Sequence, residues 1–276
     1  MKDAALKHSC SAIVAIALAC SGWATARAQA QTEVTLLAVG PMRAPTQKIV
    51  ADFEAKTGNK VKVTYGNGVE TRRMVAKGQP LDVSIIIAPF PGALTSGAIL
   101  LNSATPITSI LTAVGVPKGR PKPDISTADA VKKALLAAKR IGYEDPDFTV
   151  AGQGPWETLT KLGIADQVAA KSEVELGPGS QGLPPDATRN TIKTATRLAN
   201  GDIDIGLLML SDMLPDKEKY DIVGVLPRNV TVPVPVVGFV ATRTTNATAA
   251  KALLDYLASS QAQAIWKEAG YGPPEH

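Results

Sequence analysis

VTLLAVGPMRAPTQKIVADFEAKTGNKVKVTYGNGVETRRMVAKGQPLDVSIII, residues 34–87, decides the fold. VTLLAV (34–39) is an uncharged strand that GPMR (40–43) breaks. Pro45 suits the first turn of a helix, where the N–H it lacks has no intrahelical partner. Ile49, Val50 and Phe53 then recur at helical spacing, and Gly58 is a natural C-terminal stop. Val61, Val63 and Tyr65 alternate with Lys60, Lys62 and Thr64, the pattern of a half-exposed strand. GNGVETRR (66–73) leads into a second helix and VSIIIA (83–88) is a third strand. Two successive strand-loop-helix units define an α/β protein. In open α/β sheets the ligand crevice lies at the carboxyl ends of the strands, beside helix N-termini.

The first residues read as a leader. Lys2 and Lys7 precede the apolar SAIVAIALA (11–19), and Ala26-Arg27-Ala28 or Ala28-Gln29-Ala30 offers a cleavage site. Residues 1–28 are therefore expected to be a secretory signal, with the periplasm as destination. Cys10, Cys20 and His8 lie in it, so the remainder holds no cysteine and only His276. Disulfides, thiolate nucleophiles, cysteine-ligated metals and histidine triads are then excluded, and no metal or other cofactor is expected. The net charge of +4 falls to about +2 without Lys2, Lys7, Arg27 and Asp3. That is too mild and dispersed for nucleic acid. No later apolar run approaches the roughly 20 residues of a membrane helix.

The remaining residues, about 245, suit two lobes. ITSILTAVGVP (107–117) reads as one long strand and, with 232–240, as a candidate to join two lobes; the helix after it has Ser126 and Asp129 at capping-box spacing. FTVAG (148–152) reads as a strand, Pro155 as the opening of a helix, and GPGSQGLPPDATRN (177–190) as loop. TIKTATRLAN (191–200) is a helix stopped by Gly201, and DIDIGLLML (202–210) a strand. VPVPVVGFVATR (232–243) carries Pro233 and Pro235 and so reads as an edge or crossover strand. Asn246 and Ser260 open two closing helices. Residues 31–107 with 237–276 are expected to form one lobe, and 108–236 the other.

FEAKTGNKVKVTYG (53–66), KGQPLDVSI (77–85), TLTKLGI (158–164), LANGDIDIGLLMLSD (199–212) and LLDYLASSQAQAIWKEAGYGPP (253–274) resemble the periplasmic molybdate-binding branch of the ABC-transporter solute-binding proteins. The resemblance implies the type II periplasmic-binding-protein fold, two α/β lobes joined by two crossover strands around a cleft. It implies a monomer that captures a small anion and hands it to an ABC permease. It extends to a periplasmic aconitate isomerase, which implies as alternative a 1,3-proton shift in a tricarboxylic acid. The serines that molybdate binders present after the first strand and in the second loop are replaced by Pro41 and Gly68.

Arginine stands in these loops instead. Arg43 follows the first strand, Arg72 and Arg73 end the second loop, and Arg189 with Asn190 ends the long loop of the second lobe. A guanidinium fork matches a carboxylate with two parallel hydrogen bonds, so these residues either hold a carboxylate anion or cap helices and face solvent. Asn67, Gly152 and Ser211 are further ligand candidates; Asp212, which with Ser211 follows the strand LLML within reach of the crevice, is expected rather to cap the next helix. For an isomerase, Glu70, Asp186 and Tyr65 are the candidate bases.

Overall fold

The computed structural model describes residues 32–147, 149–176 and 188–275, with only the backbone for 188–190. The expected signal segment and Asp186 lie outside the described residues, as do the side chains of Arg189 and Asn190. Residues 31–276 form one compact unit. In chain order its elements are β1 (Glu33–Val39), α1 (Arg43–Thr57), β2 (Lys60–Gly66), α2 (Gly68–Ala76), β3 (Val83–Ile87), α3 (Pro91–Thr95), β4 (Thr105–Ile110) and β5 (Thr112–Pro117). There follow α4 (Ala128–Ala137), β6 (Ile141–Glu144), α5 (Val150–Lys161), α6 (Ala165–Ala169), β7 (Ser172–Glu175), β8 (Thr188–Asn190), α7 (Thr194–Asn200), β9 (Ile205–Met209) and α8 (Leu210–Met213). The chain closes with β10 (Tyr220–Val225), β11 (Val234–Val240), α9 (Ala247–Leu257), α10 (Ser260–Glu268) and β12 (Tyr271–Gly272).

Two mixed sheets result, ordered β12-β4-β11-β3-β1-β2 and β10-β5-β9-β6-β7-β8. In the first, β1 runs parallel to β2 and β3, while β11 is antiparallel to β3 and β4. In the second, β6 runs parallel to β7 and β9, while β5 is antiparallel to β9 and β10. This is the two-lobed type II architecture. β3 and β9 are buried and uncharged throughout, as strands covered on two faces must be. α1 buries Ile49, Val50 and Phe53 on β1 and stops at Gly58, whose φ of 75° is the left-handed cap that glycine supplies without strain. α9 buries Ala250, Leu253, Leu254 and Leu257, and α10 buries Trp266, whose ring N–H donates to Leu257 O.

Several expectations are corrected. The apolar run 107–117 does pass between the lobes, but as two strands in different sheets parted at Leu111, so the chain changes lobe at a single residue. β11 is also no edge strand: it sits between β4 and β3 and carries Pro235 opposite Ser109. The missing N–H is tolerated because Pro235 is the second residue of the strand, near a register shift on the β4 side, while its carbonyl still accepts from Ala88 N. α4 is capped by Thr127, whose hydroxyl accepts from Ala130 N, and not through Ser126.

The expected strand at 148–152 is instead the start of α5, which holds Pro155 in its interior. The strand before it is β6, IGYE, unforeseen because it spans only Ile141–Glu144.

Candidate functional site

A cavity of about 190 Å³ lies where the two sheets face each other. At about 30 Å³ per water it has room for about six waters or one small solute. The carboxyl end of β1 brings Val39 and the turn residues Pro41 and Met42. Asn67, Gly68 and Val69 begin α2; Thr149, Val150 and Ala151 begin α5. Glu144 ends β6, Met209 ends β9 and Asp212 follows in α8; Ile87, Ile110 and Tyr271 complete the wall.

Two helix N-termini thus meet across the cleft, and the local sequence fixes both. In α2, Asn67 Oδ1 accepts from the N–H of Val69 at 3.0 Å and of Glu70 at 2.8 Å, and Glu70 returns to Asn67 N, a complete capping box. In α5, Thr149 Oγ1 accepts from Gly152 N at 3.0 Å. Gly152 is required here, because a Cβ would overlap the Glu144 carbonyl oxygen. The helix start therefore sits hard against the end of β6. A Cβ on Gly68 would lie only 3.0 Å from Val150 Cγ2, so the two N-termini are in direct contact. Among the described residues, the N–H groups of Gly68, Val150 and Ala151 have no partner. The aligned peptide dipoles add positive potential at the same place.

Two carboxyls share this space. Burial pushes Glu144 up to about 7, the charges of Glu175 and Asp212 adding to the effect and the Thr149 hydroxyl and Lys193 opposing it. Burial likewise pushes Asp212 up to about 6, with Lys193 opposing and Glu175 adding. Both carboxyls therefore change charge near neutrality. Burial also raises the Tyr271 hydroxyl far above its ordinary range; it donates to Pro41 O at 3.3 Å. Ser211 Oγ is buried beside it without a well-oriented hydrogen bond.

The sequence-derived candidates divide. Pro41, Asn67 and Gly68 line the cavity. Gly152 lies behind it, and Ser211 packs under Gly270. Arg43, Arg72 and Arg73 are not in its wall. The Arg43 guanidinium lies over the Tyr65 ring, 3.9 Å from its centroid, in a separate surface hollow with Gln47 and Glu54. Arg72 Nη1 donates to Pro89 O at 2.7 Å and Arg73 is exposed. Glu70 is engaged in the capping box, and Tyr65 lies beneath Arg43. Asp212 caps nothing; it stands in the first turn of α8 and faces the cavity.

Glu144 escaped the sequence reading. Its signal was the carboxyl end of the short apolar run IGY, the second-lobe counterpart of the position after VTLLAV. Among the described residues no group of three or more histidine, cysteine or acidic side chains is placed to hold a metal. Nor is any helix among them long and apolar enough to cross a membrane.

Two α/β lobes closing helix N-termini around a small cavity define a solute-binding protein. The chain belongs to the bacterial extracellular solute-binding protein family, whose profile matches residues 34–272, and its place of work is therefore outside the cytoplasm. It is 25% identical over 255 residues to an aconitate isomerase from a Pseudomonas species, covering 89% of this chain and 90% of that one. Its fold is similar to the substrate-binding domain of a putative molybdenum ABC transporter from Clostridium difficile, with a TM-score of 0.71 and 19% identity over 89% of this chain and all of that one. It is also similar to a periplasmic molybdate-binding protein from Azotobacter vinelandii, with a TM-score of 0.61 and 18% identity over 88% of this chain and all of that one.

Proposed function

We propose that the protein is a monomeric periplasmic receptor that captures a small anion in the interlobe cleft and delivers it to an ABC permease. The observation that carries this is the pair of abutting helix N-termini, with the N–H groups of Gly68, Val150 and Ala151 unpaired at the cavity. An N–H aimed at an anion is worth about 1.5 to 3 kcal/mol once water is excluded. Three such donors and two dipole ends take over the task that serine hydroxyls perform in the resembling branch. Arginine forks are not needed for it.

Val150→Pro tests the assignment. Proline is well suited to the first helical position, and Thr149 before it is already extended, with φ −127° and ψ 144°. The change removes one N–H while keeping an apolar side chain against Gly68. Calorimetric titration with a panel of carboxylates, phosphate, sulfate and molybdate should give at least one ligand, bound about tenfold more weakly by the variant. Unchanged affinity would remove α5 from the anion site, and a panel without any ligand would sink the receptor.

A second reading has its own observation. Glu144, raised to about 7, stands in the cavity as a base able to take a proton at neutral pH, as the 1,3-shift of an aconitate isomerase needs. Incubation of the protein with aconitate isomers in heavy water tests it. Deuterium entering a carbon position, and lost in Glu144→Gln, would favour the enzyme over the receptor.

A further inference from the structure

Besides the Asn67 amide and the hydroxyls of Thr149 and Tyr271, two opposed kinds of polar group line the cavity. The N–H groups of Gly68, Val150 and Ala151 only donate, and the carboxyls of Glu144 and Asp212, once ionised, only accept. Among the described residues Asp212 has neither hydrogen bond nor ion pair, and Glu144 has only the Thr149 hydroxyl beside it. Among the described residues, the other charged groups that bear on the pair are Glu175, whose Oε2 is held by Thr194 N at 2.6 Å, and Lys193, which forms no ion pair with either carboxyl. Tyr271, on the facing lobe, turns its hydroxyl to Pro41 O.

An anion seated on the N–H groups therefore brings its charge into about 190 Å³ already shared with two carboxyls. Acceptor facing acceptor, with water excluded, is repulsive and leaves both groups unsatisfied. A proton between them converts the clash into a charge-assisted hydrogen bond. From the union of donor N–H groups and acceptor carboxyls in one small cavity, we infer that the protein selects small anions that carry an O–H donor of their own. Hydroxy acids and acid phosphates belong to this class: the anionic oxygens take the helix N-termini and the O–H donates to Asp212 or Glu144. Where both carboxyls are ionised, fully deprotonated oxyanions such as sulfate, molybdate and tungstate are rejected, although the fold is shared with a molybdate binder. This inference rests on the anion-receptor reading and names its ligand class.

The test uses pairs matched in charge and shape but not in donors. They are hydrogen phosphate against sulfate, malate against succinate, and citrate against tricarballylate. All are titrated calorimetrically at pH 8, where both cleft carboxyls are mostly ionised. A site built around a hydroxyl rejects the analogue lacking it strongly, so at least a hundredfold preference for the donor-bearing member of the best-bound pair is expected. Asp212→Asn and Glu144→Gln each place an N–H donor at the same position. At least one should narrow the preference tenfold or more by admitting the donor-free member, with the folded state checked by circular dichroism and melting.

Equal binding of both members overturns the selection while leaving anion capture in place. A preference that persists in both variants overturns the assignment to these carboxyls. Binding of no member of any pair overturns the receptor reading and the selection together.

Discussion

Glu144→Gln should make the protein more stable at pH 8 and leave it nearly unchanged at pH 5. The folded carboxyl titrates at about 7 against an ordinary value of 4.5, chiefly because it is buried. Between those values the folded state holds a proton that the unfolded chain has released, so stability falls as pH rises through this window. The full displacement corresponds to about 3 kcal/mol. Part of it is not recovered, because the glutamine amide is still a polar group buried at the same place. About 2 kcal/mol of added stability at pH 8 is therefore expected from the near-isosteric glutamine. For a chain of this length that is a melting shift of about 4 to 8 °C. Urea unfolding and calorimetry at pH 5 and pH 8, on parent and variant without ligand, measure the difference directly. A difference that does not change with pH, or a variant less stable at pH 8, would refute the assignment of Glu144 as a charge strained by its surroundings.

Gly68→Val should weaken ligand binding about tenfold or more with little change in melting, because its side chain meets Val150 at the contact between the lobes; Val150→Ala in the same chain should restore affinity. Arg43→Ala and Arg72→Ala should leave affinity within twofold in calorimetric titration, since neither residue is in the cavity wall. Asp82→Ala should destabilise by about 2 kcal/mol at pH 7, since its carboxylate takes hydrogen bonds from Thr35 N and Oγ1 and from Thr244 Oγ1. These bonds overcome burial and hold the Asp82 carboxyl below its ordinary value, so the loss, read by urea unfolding, should fade as pH falls below about 4.

Much of the first lobe was legible in the sequence because its elements are local and periodic. Ile49, Val50 and Phe53, the stop at Gly58 and the alternation Val61, Val63, Tyr65 each carry their own signal. Leu111 carries none: β4 and β5 are both apolar, and the change of sheet between them is a tertiary event without a local mark. The start of α5 was hidden by Gly152, Gly154 and Pro155, three residues that disfavour helix interiors. Two of them are dictated by space: a side chain on Gly152 would strike the Glu144 carbonyl, and one on Gly154 the Thr112 hydroxyl.

The site divided along the same line. The loops after β1 and β2 could be found from the strand-end rule, and Pro41, Asn67 and Gly68 stand in the cavity wall. The arginines were conspicuous by charge, yet Arg43 covers Tyr65 and Arg72 holds the Pro89 carbonyl. Glu144 carried no mark that set it apart from a surface acid, and Asp212, at a strand end near the crevice, read first as a helix cap; the fold turns both inward.

Between residues 32 and 275 there is no imidazole and no thiol. Burial carries the carboxyls of Glu144 and Asp212 to about 7 and about 6. With His276 and the terminal amine as the remaining neutral-range groups once the leader is set aside, the cleft contributes much of any proton exchange near pH 7. In unbuffered solution, the protons taken up or released when a solute is added can be counted with a glass electrode against that small background. The stoichiometry of that exchange would report the protonation of the occupied site without any label or substitution.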